Sequence, residues 1–585
     1  MTYLYYQLKK LSSNIDKILL LFFTSFILMD FIWIPLNSFA SESLLFLSGH
    51  DYLSQSNILA VLTEKWWITL LFILLLISNL CIAYLQMALI FIGVNNLIKQ
   101  EDKPLIIYIK SVKNDIVEIL RTFHLNKVFF ILAYSIILFP FLRKVLNIYY
   151  FNKLIIPQFI IDYYEKNDFL AIIFTLALIL FYWLATRVMY ALPIIFFNHN
   201  NVRYALNYSW QKTKGKQHIK TFFKLLWIIT LPIVLFFIVS LISVFVQTWA
   251  DKLPNTIALS IALIQVVIIK IAYYLAIAFF MIRFIHLLTG DHLSIQPKSA
   301  PKYRISLIIL AISSLIFIYE GWYNISYPYS KLPVTISHRG VSDNNGVQNS
   351  IDALKKTVKL KPNYVEMDVQ ETKDGKFVVM HDNNLKKLTG HNGETHDYTL
   401  SELTAMISSE NGQSAPIPSF DEYLTVAEKL DQPLLVEIKT NLSDSKNMMK
   451  HFLDEYAERL IKDKSLMHSL DYHVILSIKK YAPTLECYFI LPFNSVYPRT
   501  IADGYTMEYS SLDKSFILKS QQHHKKVFAW TPNDSDTIMQ VLQLPVDGII
   551  TDQLALLNEA ITELKTDSNY TGRLSRYITG LTQLW

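Results

Sequence analysis

The chain has 585 residues, 52% of them hydrophobic and 17% charged, and its formal net charge is +6. A chain of this length exceeds what one hydrophobic core requires, which excludes a single small domain. A basic excess this small, gathered in short loops, argues against nucleic-acid binding. The apolar residues fill the first half and thin out near Tyr323, so the composition predicts an N-terminal membrane domain and a C-terminal globular domain.

Apolar runs long enough to span a bilayer occur at about seven places in the first half of the chain. We therefore predict an α-helical multi-span membrane domain over residues 1–323, with about seven transmembrane helices. The runs are Ile18–Leu36, Trp67–Gly93, Val128–Leu142, Phe169–Ile195, Phe222–Val246, Ile257–Leu288 and Ile305–Tyr323.

Lysine and arginine alternate between the loops that join these runs. Basic side chains crowd the N-terminus and the stretches Lys99–Lys127, Arg203–Lys220 and Lys298–Arg304, whereas the intervening loops are mixed or nearly neutral. Because basic loops stay in the cytoplasm, the N-terminus is predicted inside and, with an odd number of spans, everything after Tyr323 on the extracellular face. The stretch Lys99–Lys127 also has helical apolar spacing, which fits a helix on the inner membrane surface or an ordinary cytoplasmic helix.

Three basic residues, Arg187, Lys270 and Arg283, fall within or near the ends of apolar runs. Charges inside a bilayer are costly and indicate the interior of a helix bundle or a site for lipid head groups. The runs show no repeated pair of interrupted helices, the pattern that would indicate a transporter. The aromatic residues of Trp322–Tyr329, at the predicted linker of residues 324–332, are expected to keep the next domain close to the outer leaflet.

From Pro333 onward the sequence changes to short β-rich runs separated by helix-sized intervals. The turn Asp374-Gly375 joins two runs as an antiparallel hairpin, and without the second arm eight runs remain. Eight alternating β/α units in about 230 residues are typical of an α/β TIM barrel, which we predict over residues 333–565, followed by a tail over residues 566–585. The predicted strands are Val334–Ser337, Tyr364–Val369, Phe377–Met380, Leu434–Ile438, Val474–Ser477, Cys487–Leu491, Thr506–Ser510, Val527–Trp530 and Gly548–Thr551.

The strand Tyr364–Val369 carries Glu366 and Asp368 on one face, because side chains alternate along a strand. Two carboxylates on an apolar strand repel each other, and a bound cation would remove that cost; a polar outer face of a half-solvated strand is the other interpretation. Active sites of TIM barrels lie at the C-terminal ends of the strands, so the polar residues gathered at these ends favour a functional site. They include His338, Arg339, His381, Asp382, Glu437, Lys439, Trp530, Thr551 and Asp552.

These residues lie in motifs that resemble the glycerophosphodiester phosphodiesterase family from about Val334 to Asp552. The motifs occur in the family's order, and the membrane half is similar to the multi-span domain that precedes the catalytic domain in some bacterial members. The resemblance implies a phosphatidylinositol-phospholipase-C-like phosphodiesterase barrel. The matching motifs are His338-Arg339-Gly340, Glu366-Met367-Asp368-Val369, Thr372-Lys373-Asp374-Gly375, Val378-Val379-Met380-His381-Asp382, Leu388-Thr389-Gly390, Pro416-Ile417-Pro418, Glu437-Ile438-Lys439 and Asp547-Gly548-Ile549-Ile550-Thr551-Asp552.

The resemblance implies a divalent cation, Ca²⁺ or Mg²⁺, held by Glu366, Asp368 and Glu437, and carboxylate oxygens suit such hard cations. It also implies that His338 and His381 are the catalytic residues. A phosphodiester needs one proton removed from the attacking oxygen and one delivered to the leaving oxygen, so two imidazoles fit both tasks. In this family a glycerol hydroxyl is described as attacking first; the sequence leaves that route and direct attack by water both open.

For the substrate, the resemblance implies phosphate contacts from Arg339, Lys439 and Asn349, with Trp530 lining the pocket for the alcohol parts. Arginine offers a planar fork to phosphate oxygens and lysine a point charge. One position departs from the family, which usually has Glu-Asn-Thr where this chain has Gln-Asn-Ser starting at Gln348. The lost negative charge predicts weaker cation binding or phosphate positioning.

Together these features predict a membrane-anchored, metal-dependent glycerophosphodiester phosphodiesterase that releases an alcohol and sn-glycerol 3-phosphate by histidine general acid/base catalysis. Its expected partners are membrane lipids and a glycerophosphodiester or lipid-derived substrate: a free diester, a lysophospholipid or a glycerophosphate polymer. Two alternatives stay open. Gln348 suggests a phosphodiester- or lipid-binding module whose barrel is weakly active or inactive, and Lys270 and Arg187 suggest a transport protein.

Overall fold

The computed structural model describes residues 14–54, 57–99, 104–122, 124–137, 160–161, 168–197, 201–289, 304–326, 332–494, 496–566 and 569–582. The chain forms two compact units. The helical unit comprises Met1–Ser48, Val61–Ile325 and Asn569–Trp585, and the barrel unit comprises Gly49–Ala60 and Ser326–Ser568. Each unit therefore takes one segment from the other half of the sequence.

The first half of the chain is helical. A π-helical turn at Leu28–Trp33 joins its first two helices. The helices are α1 (Ile15–Ile27), α2 (Ile34–Ser48), α3 (Ile58–Thr63), α4 (Trp66–Lys99), α5 (Leu105–Arg121), α6 (Leu125–Ile137), α7 (Asp168–Val188), α8 (Ala191–Phe197), α9 (Val202–Lys212), α10 (Lys216–Ala250), α11 (Asn255–Thr289) and α12 (Arg304–Ser326).

Four of the described helices, α4, α7, α10 and α11, are long and apolar enough to cross a bilayer. They coincide with four of the predicted runs, which makes this a membrane protein, whereas the count of about seven spans stays a prediction. Parts of that prediction lie outside the described residues, namely residues 138–142 of the third run, the basic loop at 290–303 and positions 327–331 of the linker. The stretch Lys99–Lys127 contains α5, whose Tyr108, Val112 and Ile119 are buried.

Two of the predicted intramembrane charges have close partners in the helical unit. Lys270 Nζ lies 2.8 Å from Glu320 Oε1. Arg187 donates to the backbone oxygen of Thr213, and its guanidinium lies 4.1 Å from the ring centroid of Trp210. An intramembrane charge with such partners has a structural role in holding helices together.

Arg283 serves the backbone of α10. Its Nη1 donates to the carbonyl oxygens of Trp227 at 3.0 Å and Ile228 at 3.3 Å. Pro232, which lies inside α10 four residues after Ile228, lacks the N–H that would otherwise bond to that carbonyl. Arg283 therefore satisfies a carbonyl that the proline leaves open, which a membrane helix requires.

The barrel unit is a closed parallel barrel, as the sequence predicts. Its strands are β1 (Val334–Ser337), β2 (Tyr364–Glu371), β3 (Phe377–Val379), β4 (Ile407–Glu410), β5 (Gln413–Pro416), β6 (Leu434–Ile438), β7 (Leu466–Ser469), β8 (Cys487–Leu491), β9 (Gly504–Glu508), β10 (Lys526–Trp530) and β11 (Gly548–Thr551). Eight of them are parallel, in the order β1, β2, β6, β7, β8, β9, β10, β11, and β1 closes the barrel by pairing with β2 and β11. β3 is the antiparallel arm on β2.

The barrel interior changes from apolar to polar along the strands. Leu435 on β6 and Leu466 on β7 belong to a buried cluster to which β1, β8, β10 and β11 also contribute. Two residues further along the same strands come Glu437 and His468, which therefore point to the same face. The apolar layer fills the barrel below its C-terminal end, and that end is left for polar groups.

Helices cover the outside of the barrel, and single 3₁₀ turns lie at His338–Gly340, Val358–Leu360, Thr395–Asp397 and Tyr509–Ser511. The helices are α13 (Ile351–Thr357), α14 (Lys386–Thr389), α15 (Leu400–Thr404), α16 (Phe420–Lys429), α17 (Met448–Lys462), α18 (Tyr472–Tyr481), α19 (Lys514–Gln522), α20 (Ser535–Leu542) and α21 (Leu554–Thr566).

The prediction of a strand at Val474–Ser477 is wrong. That stretch lies in α18, and the strand is β7, Leu466–Ser469. The Asp471 side chain caps α18 through the His473 backbone N–H at 2.9 Å, and the apolar spacing of Val474 and its neighbours suits a helix face as well as a strand. The hairpin of β4 and β5 is absent from the predicted strands.

The segment Gly49–Ala60, which precedes the second apolar run, is built into the barrel unit. The ring of Tyr52 meets that of Tyr472 at 5.1 Å and that of Phe489 at 4.9 Å, both edge to face. The backbone oxygen of Asp51 accepts a hydrogen bond of 2.7 Å from the Arg499 backbone N–H. A segment from the membrane half therefore completes the packing around α18 and β8.

The C-terminal tail, left without a structure by the sequence, forms α22 (Tyr570–Thr582) within the helical unit. Asp251 Oδ2 accepts from the Thr571 backbone N–H at 2.8 Å and from Thr571 Oγ1 at 2.6 Å. The Tyr570 hydroxyl donates to Asn255 Oδ1 at 2.8 Å. The link between α10 and α11 thus binds the first turn of the last helix.

Candidate active site

Three polar side chains form one row across neighbouring strands at the C-terminal end of the barrel. In the strand register Asp368 on β2 is opposite Glu437 on β6, and Glu437 is opposite His468 on β7. Partners in register point to the same face of a sheet, so all three enter the barrel. All three are buried.

Glu366 joins this row from β2, on the same face as Asp368. Its Oε2 accepts a hydrogen bond of 2.7 Å from the Arg339 backbone N–H. Its Oε1 is buried and has no hydrogen-bond partner among the described residues. Glu366, Glu437 and His468 each place one ligand atom within 4.8 Å of the others, a grouping that could hold a metal ion.

Lys439 and Asn349 contact the carboxylates of this cluster. Lys439 Nζ lies 2.5 Å from Glu437 Oε1 and 3.2 Å from Asp368 Oδ1. Asn349 Nδ2 donates to Asp368 Oδ2 at 2.8 Å. The structure thus places both residues, predicted as phosphate contacts, against the predicted cation ligands.

The charges of this cluster support one another. Burial alone would raise the pKa of Asp368, but Lys439, then His381 and Arg339, outweigh it and hold that pKa well below its usual range. Burial would lower the pKa of Lys439, but Glu437 and Asp368 raise it. The Asp368 carboxylate is therefore ionised and acceptor-only. Three carboxylates against one ammonium, with Glu366 Oε1 buried and unbonded, fit a divalent cation.

His338 ends β1 and is held by a carboxylate from the last strand. Its Nδ1 lies 2.8 Å from Asp552 Oδ1, and Asn533 Nδ2 donates to Asp552 Oδ2 at 2.6 Å. Burial lowers the pKa of His338, but the Asp552 carboxylate outweighs burial, so the pKa is raised. Burial raises the pKa of Asp552, but the interaction with His338 is stronger and lowers that pKa to about 2. The pair keeps Nε2 of the imidazole available.

His381 has an equivalent partner next to it in the chain. Its Nδ1 lies 2.6 Å from Asp382 Oδ1, and this bond, opposed by burial, lowers the pKa of Asp382. An open pocket of about 860 Å³ is lined by His381, Asp382, Asn383, Asn384, Lys386, Lys387, Lys439 and Leu470. This second imidazole therefore faces a space large enough for a small phosphodiester, with lysines on its walls.

Arg339 adopts a left-handed backbone conformation, with φ at 51°. The next residue, Gly340, also has a positive φ, and a side chain there would place its Cβ 2.6 Å from the Tyr423 hydroxyl. Arg339 Nη1 donates to Gln348 Oε1 at 2.8 Å, and Gln348 Nε2 donates to Glu410 Oε1 at 2.8 Å. Glu410, on the β4–β5 hairpin, is thus a carboxylate in contact with Gln348, one side chain further from Arg339.

Trp530 and Glu508 are register partners at the ends of β10 and β9. Trp530 packs against the apolar cluster of the barrel interior. Glu508 is buried, which raises its pKa, while Ser510 and Ser511 donate to its Oε2 at 2.6 and 3.0 Å. Both residues therefore border the mouth of the barrel, opposite the row that starts on β2.

Several residues of the site escaped the sequence reasoning. The predicted strand at Val474–Ser477 displaces β7 and so conceals His468, although a histidine directly after the apolar pair Leu466-Met467, between two helices, is a usable signal. Glu410 lies on the hairpin that was not predicted, and its contact with Gln348 spans 62 positions. The sequence places Asp552 at a strand end, but its pairing with His338 depends on the closure of the barrel.

Comparison with known proteins covers both halves of the chain. A family model described as the membrane domain of glycerophosphoryl diester phosphodiesterase matches residues 5–321. A model described as the glycerophosphoryl diester phosphodiesterase family matches residues 338–556. The first alone spans more than half of the 585 residues.

The barrel half is also similar to individual proteins. A glycerophosphodiester phosphodiesterase of Caldanaerobacter subterraneus subsp. tengcongensis is 26% identical over 228 residues, covering 37% of this chain and 93% of that protein. Lysophospholipase D GDPD1 of Mus musculus is 24% identical over 261 residues, covering 37% of this chain and 82% of that protein.

Among solved structures, an Oleispira antarctica phosphodiesterase in complex with the product sn-glycerol-3-phosphate is 22% identical, with a TM-score of 0.35. The match covers 40% of this chain and 99% of that chain. The chain belongs to the glycerophosphoryl diester phosphodiesterase family of enzymes, and it carries that family's membrane domain ahead of its phosphodiesterase domain.

Proposed function

We propose that this protein is a membrane-anchored, divalent-cation-dependent phosphodiesterase that hydrolyses glycerophosphodiesters to an alcohol and sn-glycerol 3-phosphate. One observation carries the proposal. Two imidazoles, His338 and His381, each have Nδ1 tied to an aspartate, beside a buried cluster of carboxylates. Tying Nδ1 to a carboxylate orients Nε2 towards the substrate, which is the arrangement that general acid/base catalysis needs.

The two histidines take different roles. The Asp552 carboxylate raises the pKa of His338 and so favours its protonated form, which makes His338 the general acid that protonates the leaving oxygen. His381, in the open pocket, is the general base that removes the proton from the attacking hydroxyl or water. Arg339 and Lys439 neutralise the phosphate oxygens, Arg339 with the part of its guanidinium that Gln348 does not use.

Glu366, Asp368 and Glu437 would hold the cation, for which we propose Ca²⁺ or Mg²⁺ because carboxylate oxygens are the ligands these ions prefer. When bound, such a cation polarises the phosphoryl group and can orient a neighbouring hydroxyl. The buried Glu366 Oε1 and the row formed by Asp368 and Glu437 support this assignment. Asn349 donates to Asp368 Oδ2, so in this proposal it also positions that carboxylate.

We also propose that the barrel lies on the extracellular face. The basic loops predict a cytoplasmic N-terminus. The barrel unit takes in Gly49–Ala60, between the first two apolar runs, and resumes at Ser326. A segment and a domain that form one compact unit share one side of the membrane, and both positions follow an odd number of predicted spans. The substrate is then a diester at the outer surface, either free, part of a lysophospholipid or part of a glycerophosphate polymer.

Release of sn-glycerol 3-phosphate by the full-length protein in detergent tests the proposal. We expect release from glycerophosphocholine, abolished by EDTA and restored by Ca²⁺ or Mg²⁺. Lysophosphatidylcholine, which keeps its acyl chain, should instead give choline and lysophosphatidic acid with the same dependence on the cation. His381→Gln should reduce the rate by about 10²- to 10⁴-fold. His473→Gln, at an exposed position on α18, is the matched control. EDTA-resistant release, or full activity of His381→Gln, would refute the mechanism.

A further inference from the structure

His468 is a buried imidazole beside the carboxylate cluster. It is 3% exposed, and its Nε2 has no hydrogen-bond partner among the described residues. Nε2 lies 3.7 Å from Glu366 Oε1 and 4.0 Å from Glu437 Oε2. Both distances exceed a hydrogen bond, whereas two ligands of one ion, with bonds of about 2.1 Å, lie about 3 to 4 Å apart. One cation can therefore contact all three side chains.

The other ring nitrogen of His468 is already bonded. Its Nδ1 lies 3.3 Å from Thr506 Oγ1, and Thr506 is buried on β9. If Nδ1 donates its hydrogen to this hydroxyl, Nε2 directs a lone pair towards the oxygens of Glu366 and Glu437. A lone pair facing two carboxylates is unfavourable unless a cation lies between them. Histidines that bind metals usually donate their second N–H in this way.

We propose that His468 is a nitrogen ligand of the cation site and shifts its preference towards divalent transition ions such as Mn²⁺ and Co²⁺. The inference rests on the proposed cation site at Glu366, Asp368 and Glu437. Oxygen ligands alone suit Ca²⁺ and Mg²⁺, whereas imidazole nitrogen adds affinity for first-row transition ions. The site therefore accepts both classes and binds the transition ions more tightly than carboxylates alone would.

A second cluster in the barrel unit provides a contrast. Glu371, His396 and Asp444 also bring ligand atoms together. There His396 Nε2 lies 2.6 Å from Asp444 Oδ1, and both oxygens of Glu371 accept from Ser445 at 2.6 Å. The hydrogen bonds of this cluster are met within the protein, so it supplies a matched control histidine.

The test uses the full-length protein in detergent, stripped of metal and loaded with one equivalent of Mn²⁺. Electron spin echo modulation detects a ¹⁴N nucleus bonded to the ion. We expect this coupling in the wild type and in His396→Gln, and its loss in His468→Gln. Calorimetric titration should show His468→Gln binding Mn²⁺ and Co²⁺ about 10- to 100-fold more weakly, with Ca²⁺ and Mg²⁺ changed less than about 3-fold.

The outcomes distinguish a failure of the proposed His468 ligand from a failure of the proposed cation site on which it rests. If Glu366→Gln abolishes Mn²⁺ binding but the wild type shows no ¹⁴N coupling, His468 is not a ligand. The proposed cation site is still supported in that case. Mn²⁺ binding that Glu366→Gln does not weaken overturns the cation site itself. The wild-type spectrum decides the point even if His468→Gln fails to fold, and Thr506→Val, which removes the hydroxyl that orients His468, should weaken the coupling.

Discussion

Asp552 Oδ1 lies 2.8 Å from His338 Nδ1, although 214 positions separate the two residues. Because the His338 pKa is raised, the pair stabilises the fold below the ordinary imidazole pKa of about 6.5, and this is lost as pH rises through the folded-state value. Because the Asp552 pKa is lowered to about 2, the contribution of Asp552 to folding stability is fully present above the ordinary carboxyl pKa. This contribution is lost as pH falls towards 2. Both contributions are therefore fully present between the ordinary carboxyl pKa of about 3.9 and the ordinary imidazole pKa of about 6.5.

Asp552→Asn should move the alkaline limb of the pH profile of kcat/KM to lower pH, since His338 loses the carboxylate that raises its pKa. The maximal rate should fall about 10- to 100-fold. Steady-state rates between pH 5 and pH 9 measure both effects. Asp536→Asn, exposed on α20, is the control. An unmoved alkaline limb would show that His338 is not the acid.

Glu410 is expected to supply the charge that Gln348 lacks. Gln348→Glu alone places two carboxylates within 2.8 Å of each other and should lower kcat/KM. Glu410→Gln alone leaves Arg339 without a nearby carboxylate in this chain of contacts and should raise KM. The double variant moves the charge one side chain closer to Arg339 and should recover most of the activity. If the effects of the two single changes simply add in the double variant, Gln348 and Glu410 do not act as a pair.

Cation binding should stabilise the barrel unit. A ligand at 100 times its Kd adds about 2.7 kcal/mol to the free energy of unfolding. We expect Ca²⁺ or Mg²⁺ to raise the Tm of the barrel unit by about 5 to 10 °C, read by thermal proteolysis of the full-length protein. Asp368→Asn should abolish this shift, whereas Asp454→Asn, exposed on α17, should keep it. An equal shift in all three proteins would place the cation elsewhere.

Tyr52→Ala should destabilise the barrel unit by about 2 kcal/mol, because removal of the ring leaves a gap beside Tyr472 and Phe489. Proteolysis in urea, followed by barrel fragments on a gel, measures the change. Leu59→Ala in the same segment is 74% exposed and should have little effect. A fragment of residues 326–568 lacks Tyr52 and should show the same loss of stability. A peptide of residues 49–60 should partly restore that stability. Equal stability with and without Tyr52 would contradict its packing role.

Lys270 should act as a structural partner of Glu320. Lys270→Met leaves the carboxylate unpaired and should cost about 1 to 3 kcal/mol, less than for a fully buried pair because the Glu320 side chain keeps 35% exposure. The double change with Glu320→Gln should cost less than Lys270→Met alone. Unfolding in sodium dodecyl sulfate reports the helical unit. A loss of phosphodiesterase rate without loss of stability would instead give Lys270 a functional role.

Much of the barrel could be predicted from local pattern. Apolar runs of strand length and the turn at Asp374-Gly375 fix the alternation of strands and helices, and Glu366 with Asp368 on one strand face indicates the proposed cation site. The misplaced strand at Val474–Ser477 shows the limit, because an apolar run of that length fits a helix face as well as a strand. That one error concealed His468, whose register partner is Glu437.

The sequence by itself determined the membrane half and the barrel, since these depend on hydrophobicity and periodicity, and the family resemblance of its motifs implied two histidines and three carboxylates as site residues. Tertiary structure decided which partners they have. Closure of β11 against β1 brings Asp552 to His338, and the hairpin carries Glu410 to Gln348. It also assigned Gly49–Ala60 to the barrel unit and α22 to the helical unit. These pairings join residues far apart in the chain, and packing of the whole chain selects them where local propensity cannot.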